Sequence, residues 1–86
     1  MSLKRSRLEM YLDVLKVVGK GTQKPTRIMY KTNLSWKPLM KILESLQDQG
    51  LISRDDNGNH TTYRLTEKGK GILVYFNKAL ESIEVR

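Results

Sequence analysis

The 86-residue sequence predicts a mainly helical domain carrying one small β-hairpin, an α+β architecture, and three observations predict it. Apolar residues recur at helical spacing in four separate stretches. An Asn57-Gly58 step stands between two short β-prone runs. The second and third helical stretches are separated by a turn of only about three residues.

The first stretch runs from about Arg5 to Val18 and sets Leu8, Tyr11, Leu12, Leu15 and Val18 on one face, with Lys4, Arg7, Asp13 and Lys16 elsewhere. Gly19-Lys20-Gly21 breaks it. Pro25 then suits an early helical position, where its missing N–H costs nothing, and opens a short second helix ending near Tyr30 or Lys31. Lys31-Thr32-Asn33 reads as a tight turn. After it Leu39, Ile42, Leu43 and Leu46 recur at helical spacing, so a third helix is expected from about Ser35 to Gln49, stopped by Gly50. Ser35 is a good N-cap, and Pro38 gives up an N–H that the first turn leaves unpaired. A residue before proline avoids helical angles, which would favour a start at Pro38. The earlier start, with a distorted first turn, is the expectation.

The period then changes. Leu51-Ile52-Ser53-Arg54 and Thr61-Thr62-Tyr63-Arg64-Leu65 flank Asp55-Asp56-Asn57-Gly58-Asn59, and Asn-Gly is the strongest short hairpin signal because both turn positions tolerate positive φ. Thr66 can cap a final helix over about residues 67–86, with Glu67 suiting its positive end. Leu73, Phe76, Leu80 and Ile83 form one stripe of that helix; Ile72, Phe76, Ala79 and Ile83 form an adjoining one. The order is therefore helix, helix, helix, hairpin, helix. That is a helix-turn-helix with a β wing, a winged helix-turn-helix over about residues 5–66 followed by a C-terminal helix, in one domain over residues 1–86 without internal repeats.

Sixteen Lys and Arg against nine Asp and Glu give a formal charge of +7, and the sequence pI is near 9.9, the balance expected of a protein that meets a polyanion. Its distribution says more. Residues 1–31 hold eight basic groups (Lys4, Arg5, Arg7, Lys16, Lys20, Lys24, Arg27, Lys31) and two acidic ones (Glu9, Asp13), whereas residues 32–50 balance at two against two (Lys37 and Lys41; Glu44 and Asp48). The third helix is neutral. Affinity for phosphates is expected from the N-terminal segment and second helix instead. Cysteine is absent, which removes disulfides, thiolate nucleophiles and Cys-ligated zinc. No apolar run reaches the roughly 20 residues of a membrane span, and no signal-peptide pattern opens the chain. Met1-Ser2-Leu3 carries no weight here. A soluble cytoplasmic protein is the expectation.

With Leu39, Ile42, Leu43 and Leu46 turned inward, Ser35, Trp36, Lys37, Met40, Lys41, Glu44 and Ser45 lie on or beside the outer face. Ser35, Trp36, Lys37, Lys41 and Ser45 are the candidates for contact in a DNA major groove, where Lys donates to guanine acceptors and Ser pairs with several bases. Packing at the rim of the core suits Trp36 equally. Glu44 and Asp48 mark the edge of the contact. Lys24, Arg27 and Lys31 are candidates for phosphates, and Arg54, His60 and Arg64 for a groove adjacent to the wing, although a solvated wing would carry the same residues. Other chemistry finds little support. His60 has no Cys or second His to share a metal. Asp55-x-Asn57-x-Asn59 resembles half a calcium loop, but His60 stands for the required Gly and Thr66 for the bidentate Glu. Lys68-Gly69-Lys70-Gly71 lacks P-loop spacing. No nucleophile with a base stands out, so no enzyme activity, cofactor or metal is expected.

Thr26-Arg27-Ile28-Met29-Tyr30, Asn33-Leu34-Ser35-Trp36, Leu39, Leu43, Leu46, Gly50-Leu51-Ile52 and Tyr63-Arg64-Leu65-Thr66-Glu67-Lys68-Gly69 together resemble the small archaeal winged-helix regulators. The chain is similar to the ArnR-like winged-helix group and to archaeal ten-kilodalton DNA-binding proteins that dimerise through a C-terminal coiled-coil helix. Trp36 stands where tyrosine is more usual, and Pro38 is unusual; both bear on groove contact rather than on the fold. The resemblance implies a DNA-binding domain and a dimer. The last helix fits that role, because Ile72, Leu73, Tyr75, Phe76, Ala79, Leu80 and Ile83 cover more than one face, with Ile72, Leu73, Phe76, Leu80 and Ile83 as the expected interface. Closure of the core of one small domain by the same residues is the alternative. A core this small also leaves apolar surface for a partner subunit to complete. The expected function is sequence-specific binding of double-stranded DNA as a homodimeric transcriptional regulator. The alternatives are an architectural DNA binder with little sequence preference, or a protein-interaction winged helix.

Overall fold

A computed structural model describes residues 6–84. Lys4 and Arg5, expected near the start of the first helix, lie outside the described residues. The chain runs α1 (Arg7–Gly19), α2 (Pro25–Thr32), α3 (Trp36–Asp48), β1 (Ile52–Asn57), β2 (His60–Leu65) and α4 (Glu67–Ser82).

α1 starts after Ser6, whose hydroxyl accepts from the Glu9 N–H while the Glu9 carboxylate accepts from the Ser6 N–H, a capping box. That Ser-x-x-Glu signature places the start two residues after the expected Arg5. Three helices share one ending. Thr22 N–H donates to Val17 O and Gly21 N–H to Val18 O; Leu34 to Met29 and Asn33 to Tyr30; Leu51 to Leu46 and Gly50 to Gln47. This is the Schellman pattern, in which one residue must turn left-handed to return the chain to the last carbonyls. Gly21, Asn33 and Gly50 take that role, Asn33 at φ 57°. Asparagine tolerates the conformation, so α2 continues through Thr32 and the turn to α3 comes later than the Lys31-Thr32-Asn33 expected.

The core comprises Val14, Leu15 and Val18 of α1, Ile28 of α2, Leu39, Ile42, Leu43 and Leu46 of α3, and Leu51, Ile52 and Tyr63 around the hairpin. The expected inward face of α1 is rotated in fact. Val14 is fully buried, while Leu8 in the first turn is 58% exposed. The hairpin is antiparallel, with Ile52 opposite Leu65, Arg54 opposite Tyr63 and Asn57 opposite His60. Its loop is therefore Gly58-Asn59. Of the pair only Gly58 has positive φ, the pattern of a II′ turn, in place of a turn centred on Asn57-Gly58 with both residues left-handed. The strands thus extend to Asn57 and His60, further than the sequence runs suggest. β2 is also tied to the α1–α2 loop, where Tyr63 N–H donates to Gln23 O at 2.9 Å.

α4 is anchored at its start. The Thr66 hydroxyl accepts from Gly69 N–H and donates to Gly50 O at 2.6 Å, and Lys68 Nζ donates to Gln49 O at 2.9 Å. Gly69 is buried so tightly that a Cβ there would be driven into the Leu51 carbonyl. Ile72 and Leu73 then pack against the core. α4 ends at Ser82, earlier than the expected 67–86, and Ile83 caps it with extended backbone rather than continuing the helical stripe. Beyond Phe76 every described residue is exposed.

Candidate nucleic-acid interface

α3 divides cleanly. Its core side is buried, and the opposite ridge carries Lys37, Lys41, Glu44 and Asp48, all exposed. The ridge is basic in its first half and acidic in its second, so a polyanion is attracted to the N-terminal half only. Pro38 sits third in the helix, where the acceptor of an N–H would be residue 34, outside the helix. It costs no helical bond there, which is why Trp36 rather than Pro38 begins α3. The same proline removes one of the N–H groups that a cap serine engages. Ser35 holds the extended N-cap backbone, yet its hydroxyl makes no cap bond and stays exposed. The N-terminus of α2 is also without a side-chain cap, since Lys24 occupies its N-cap. Ser6 and Thr66 do cap α1 and α4. The two helices of the helix-turn-helix therefore keep free N–H groups at ends where phosphates are well held.

The other expected contacts fall into three groups. Lys24 and Arg27 are exposed on α2 and its cap, and Lys31 follows them, its Nζ donating to the Thr22 hydroxyl at 3.2 Å. Trp36 is half exposed, at 46%, on the flank of α3 between core and ridge. Ser45 is half-buried, and its hydroxyl accepts from Gln49 Nε2 at 3.1 Å. On the hairpin, His60 is exposed beside the loop, facing Lys24 and Thr26 across a shallow cleft. Arg54 and Arg64 are not free cations. Arg54 Nε lies 3.1 Å from Asp56 Oδ1 and Arg64 Nη2 lies 3.7 Å from Asp55 Oδ2. The Thr61 hydroxyl and then Arg54 hold the Asp56 carboxyl below its ordinary pKa. Lys37 and Lys41 also line a groove of about 440 Å³ against α1, together with Arg7, Met10, Tyr11, Pro38 and Ile42.

Sequence reasoning passed over two features. Tyr30 is 87% exposed on the outer side of α2 in a cleft with Thr26, Arg27 and Lys31. Lys20 joins Lys24, Arg27 and Lys31 around the α1–α2 loop. A signal for both was present: between Asp13 and Glu44 the chain has seven Lys or Arg and no acidic residue. Among the described residues no cluster of three or more His, Cys, Asp or Glu is placed to hold a metal, and no helix is long and apolar enough to cross a membrane.

Three helices, a wing hairpin and a docked fourth helix match a winged helix-turn-helix family model over residues 4–84. The chain belongs to the winged helix-turn-helix family. It is 37% identical over 67 residues to an uncharacterized protein of Methanocaldococcus jannaschii, covering 78% of this chain and 65% of that one. It spans 32% of a second relative from the same organism. Among solved structures it is similar to Sso10a-2, a DNA-binding protein from Sulfolobus solfataricus, with a TM-score of 0.76 at 22% identity over 90% of this chain and 80% of that one. It is also similar to a MarR family transcriptional regulator from Silicibacter pomeroyi, with a TM-score of 0.69 at 21% identity over 85% and 56%. At such identities the likeness is one of winged-helix fold.

Proposed function

We propose that this winged helix-turn-helix protein is a transcription regulator that binds double-stranded DNA as a homodimer and discriminates between sequences. The observation that carries the reading is the outer ridge of α3. Its partner side is fully occupied by the core, its N-terminal half offers Lys37 and Lys41 with the free Ser35 hydroxyl beside them, and cations on α2 flank it. In this reading the first half of α3 enters the major groove, with Lys41 and Lys37 at base edges. Lys24, Arg27 and Lys31 hold phosphates and set the register. The names of two structural neighbours, a DNA-binding protein and a transcriptional regulator, agree with it. The reading involves no catalytic step.

The exposed apolar residues of α4 support the dimer. Ile72 and Leu73 face the core, which leaves Leu80 and Ile83, with Val74 and Tyr75, 53% or more exposed. Phe76 is half-buried between these two sets. Such a surface on a small charged protein is costly unless covered, and a second copy covers it symmetrically. A two-fold dimer sets its reading helices about one DNA turn, ~34 Å, apart and predicts a pseudo-palindromic site.

Titration of a selected duplex and of a random duplex at several salt concentrations tests the reading. A regulator binds the selected duplex at least ~1,000-fold more tightly. A small ratio with a steep salt dependence identifies an architectural binder instead. No binding at low salt leaves a protein-interaction module.

A further inference from the structure

The hairpin arms itself and disarms itself with the same four residues. Cross-strand register puts Ile52, Arg54 and Asp56 on one face with Leu65, Tyr63 and Thr61, and Ser53 and Asp55 on the other with Arg64 and Thr62. Each face carries one arginine and one aspartate, and on each face the two are joined. Arg54 Nε is 3.1 Å from Asp56 Oδ1, an oxygen that also accepts the Thr61 hydroxyl proton at 2.8 Å. Arg64 Nη2 is 3.7 Å from Asp55 Oδ2 across the hairpin. All four side chains are between 44% and 67% exposed, so they lie where a ligand would meet them. The contrast with the stretch from Val14 to Leu43, which has seven cations and no carboxylate, is complete.

For an exposed pair the mutual attraction is small. The carboxylates matter because of where they stand. An arginine that moves from its aspartate to a phosphate leaves that aspartate uncompensated beside a polyanion, whatever the base sequence. Non-specific affinity is the release of counterions by cations that replace them, and a wing whose charges cancel releases few. We propose that Asp55 and Asp56 are specificity-determining residues: they keep Arg54 and Arg64 off the phosphates of arbitrary DNA and so limit non-specific binding by the wing. The inference rests on the DNA-binding reading above. It leaves sequence discrimination to α3, because the wing adds no sequence-blind attraction that would swamp it.

The test compares the full chain with Asp55→Asn/Asp56→Asn, measuring affinity for a random-sequence duplex and for a duplex recovered by selection over a range of salt. Asparagine keeps an acceptor for the Thr61 hydroxyl, and Asp55→Asn alone, on the face without that bond, guards against loss of the turn. Glu67→Gln/Glu81→Gln removes the same two charges from α4 and serves as the control for net charge. The expected result is random-duplex binding about 10-fold tighter in the wing variant than in the control. Its salt slope should steepen by about one to two, as for one or two added phosphate contacts, with a lower ratio of selected to random affinity. Adding Arg54→Ala/Arg64→Ala to the wing variant should abolish the gain. A wing variant no tighter than the charge control, or a gain that survives loss of both arginines, overturns the inference while leaving DNA binding intact. Absence of duplex binding by the unaltered protein at low salt overturns both.

Discussion

α3 and α4 are both amphipathic, and they meet opposite fates. The 13 residues of α3 bury Leu39, Ile42, Leu43 and Leu46, so its apolar stripe is used up inside the chain and what remains outside is a ridge of charges. The 16 residues of α4 bury only Gly69. Its Ile72 and Leu73 reach the core, but Leu80 is 56% exposed and Ile83, the extended C-cap that follows the helix, is 62% exposed. The difference separates two kinds of functional surface. A helix whose apolar side is satisfied is free to present polar groups to a polar ligand. One whose stripe outruns the core presents apolar area, and water drives that area toward another protein surface.

Leucine truncation at one site in each helix sharpens the contrast most. Leu43→Ala should cost about 2–5 kcal/mol in urea unfolding, because a fully buried side chain leaves a cavity. Leu80→Ala should leave the stability of dilute protein within about 0.5 kcal/mol while weakening self-association in sedimentation. Equal losses would place Leu80 in the core of one chain and break the comparison. Ile83→Glu goes further on the same surface: the protein should sediment as a monomer with its far-ultraviolet circular dichroism unchanged, and a variant that remains dimeric would remove α4 from the interface.

On α3 and its neighbour α2 the contrast is between reading and holding. Lys41→Ala should cost about 1–3 kcal/mol on the selected duplex and relax preference at one position, whereas Arg27→Ala should weaken all duplexes alike and reduce the salt slope by about one. The reverse pattern would exchange their roles. The smallest effects concern the helix starts. Thr66→Ala removes a cap hydroxyl that both accepts from Gly69 N–H and donates to Gly50 O, and should cost about 1 kcal/mol in thermal unfolding. Ser35→Ala should cost nearly nothing there, since its hydroxyl makes no cap bond, and should appear in DNA affinity instead.

Much of this fold was legible in local pattern. The Leu39, Ile42, Leu43, Leu46 spacing, the Gly50 stop and the strand runs around Gly58 are short-range signals, and local sterics obey them wherever the chain goes. The candidate reading face was legible for the same reason, being the complement of a buried stripe on one helix. Other features failed at longer range. Leu8 keeps helical phase with Leu12 and Leu15, yet is exposed because the face of α1 that the core covers centres on Val14 and Val18. Arg54 and Arg64 look like wing cations in the sequence; Asp56 stands two residues from Arg54 on the same strand and face, but the pairing of Arg64 with Asp55 depends on the cross-strand register. The turn residue was legible and the turn type was not, because Gly58-Asn59 and Asn57-Gly58 differ by a one-residue shift of the closing pair.

By itself the sequence determined the order of elements, the cap at Thr66, the stop at Gly50 and the charge balance of α3. Each of these is decided within a few residues by backbone sterics, short hydrogen bonds or simple charge. Only the tertiary structure decided that α4 spends Ile72 and Leu73 on the core and leaves Leu80, and the capping Ile83 after it, uncovered. The physical reason is that an apolar stripe states what must leave water, while the length of the surface opposite it states how much can.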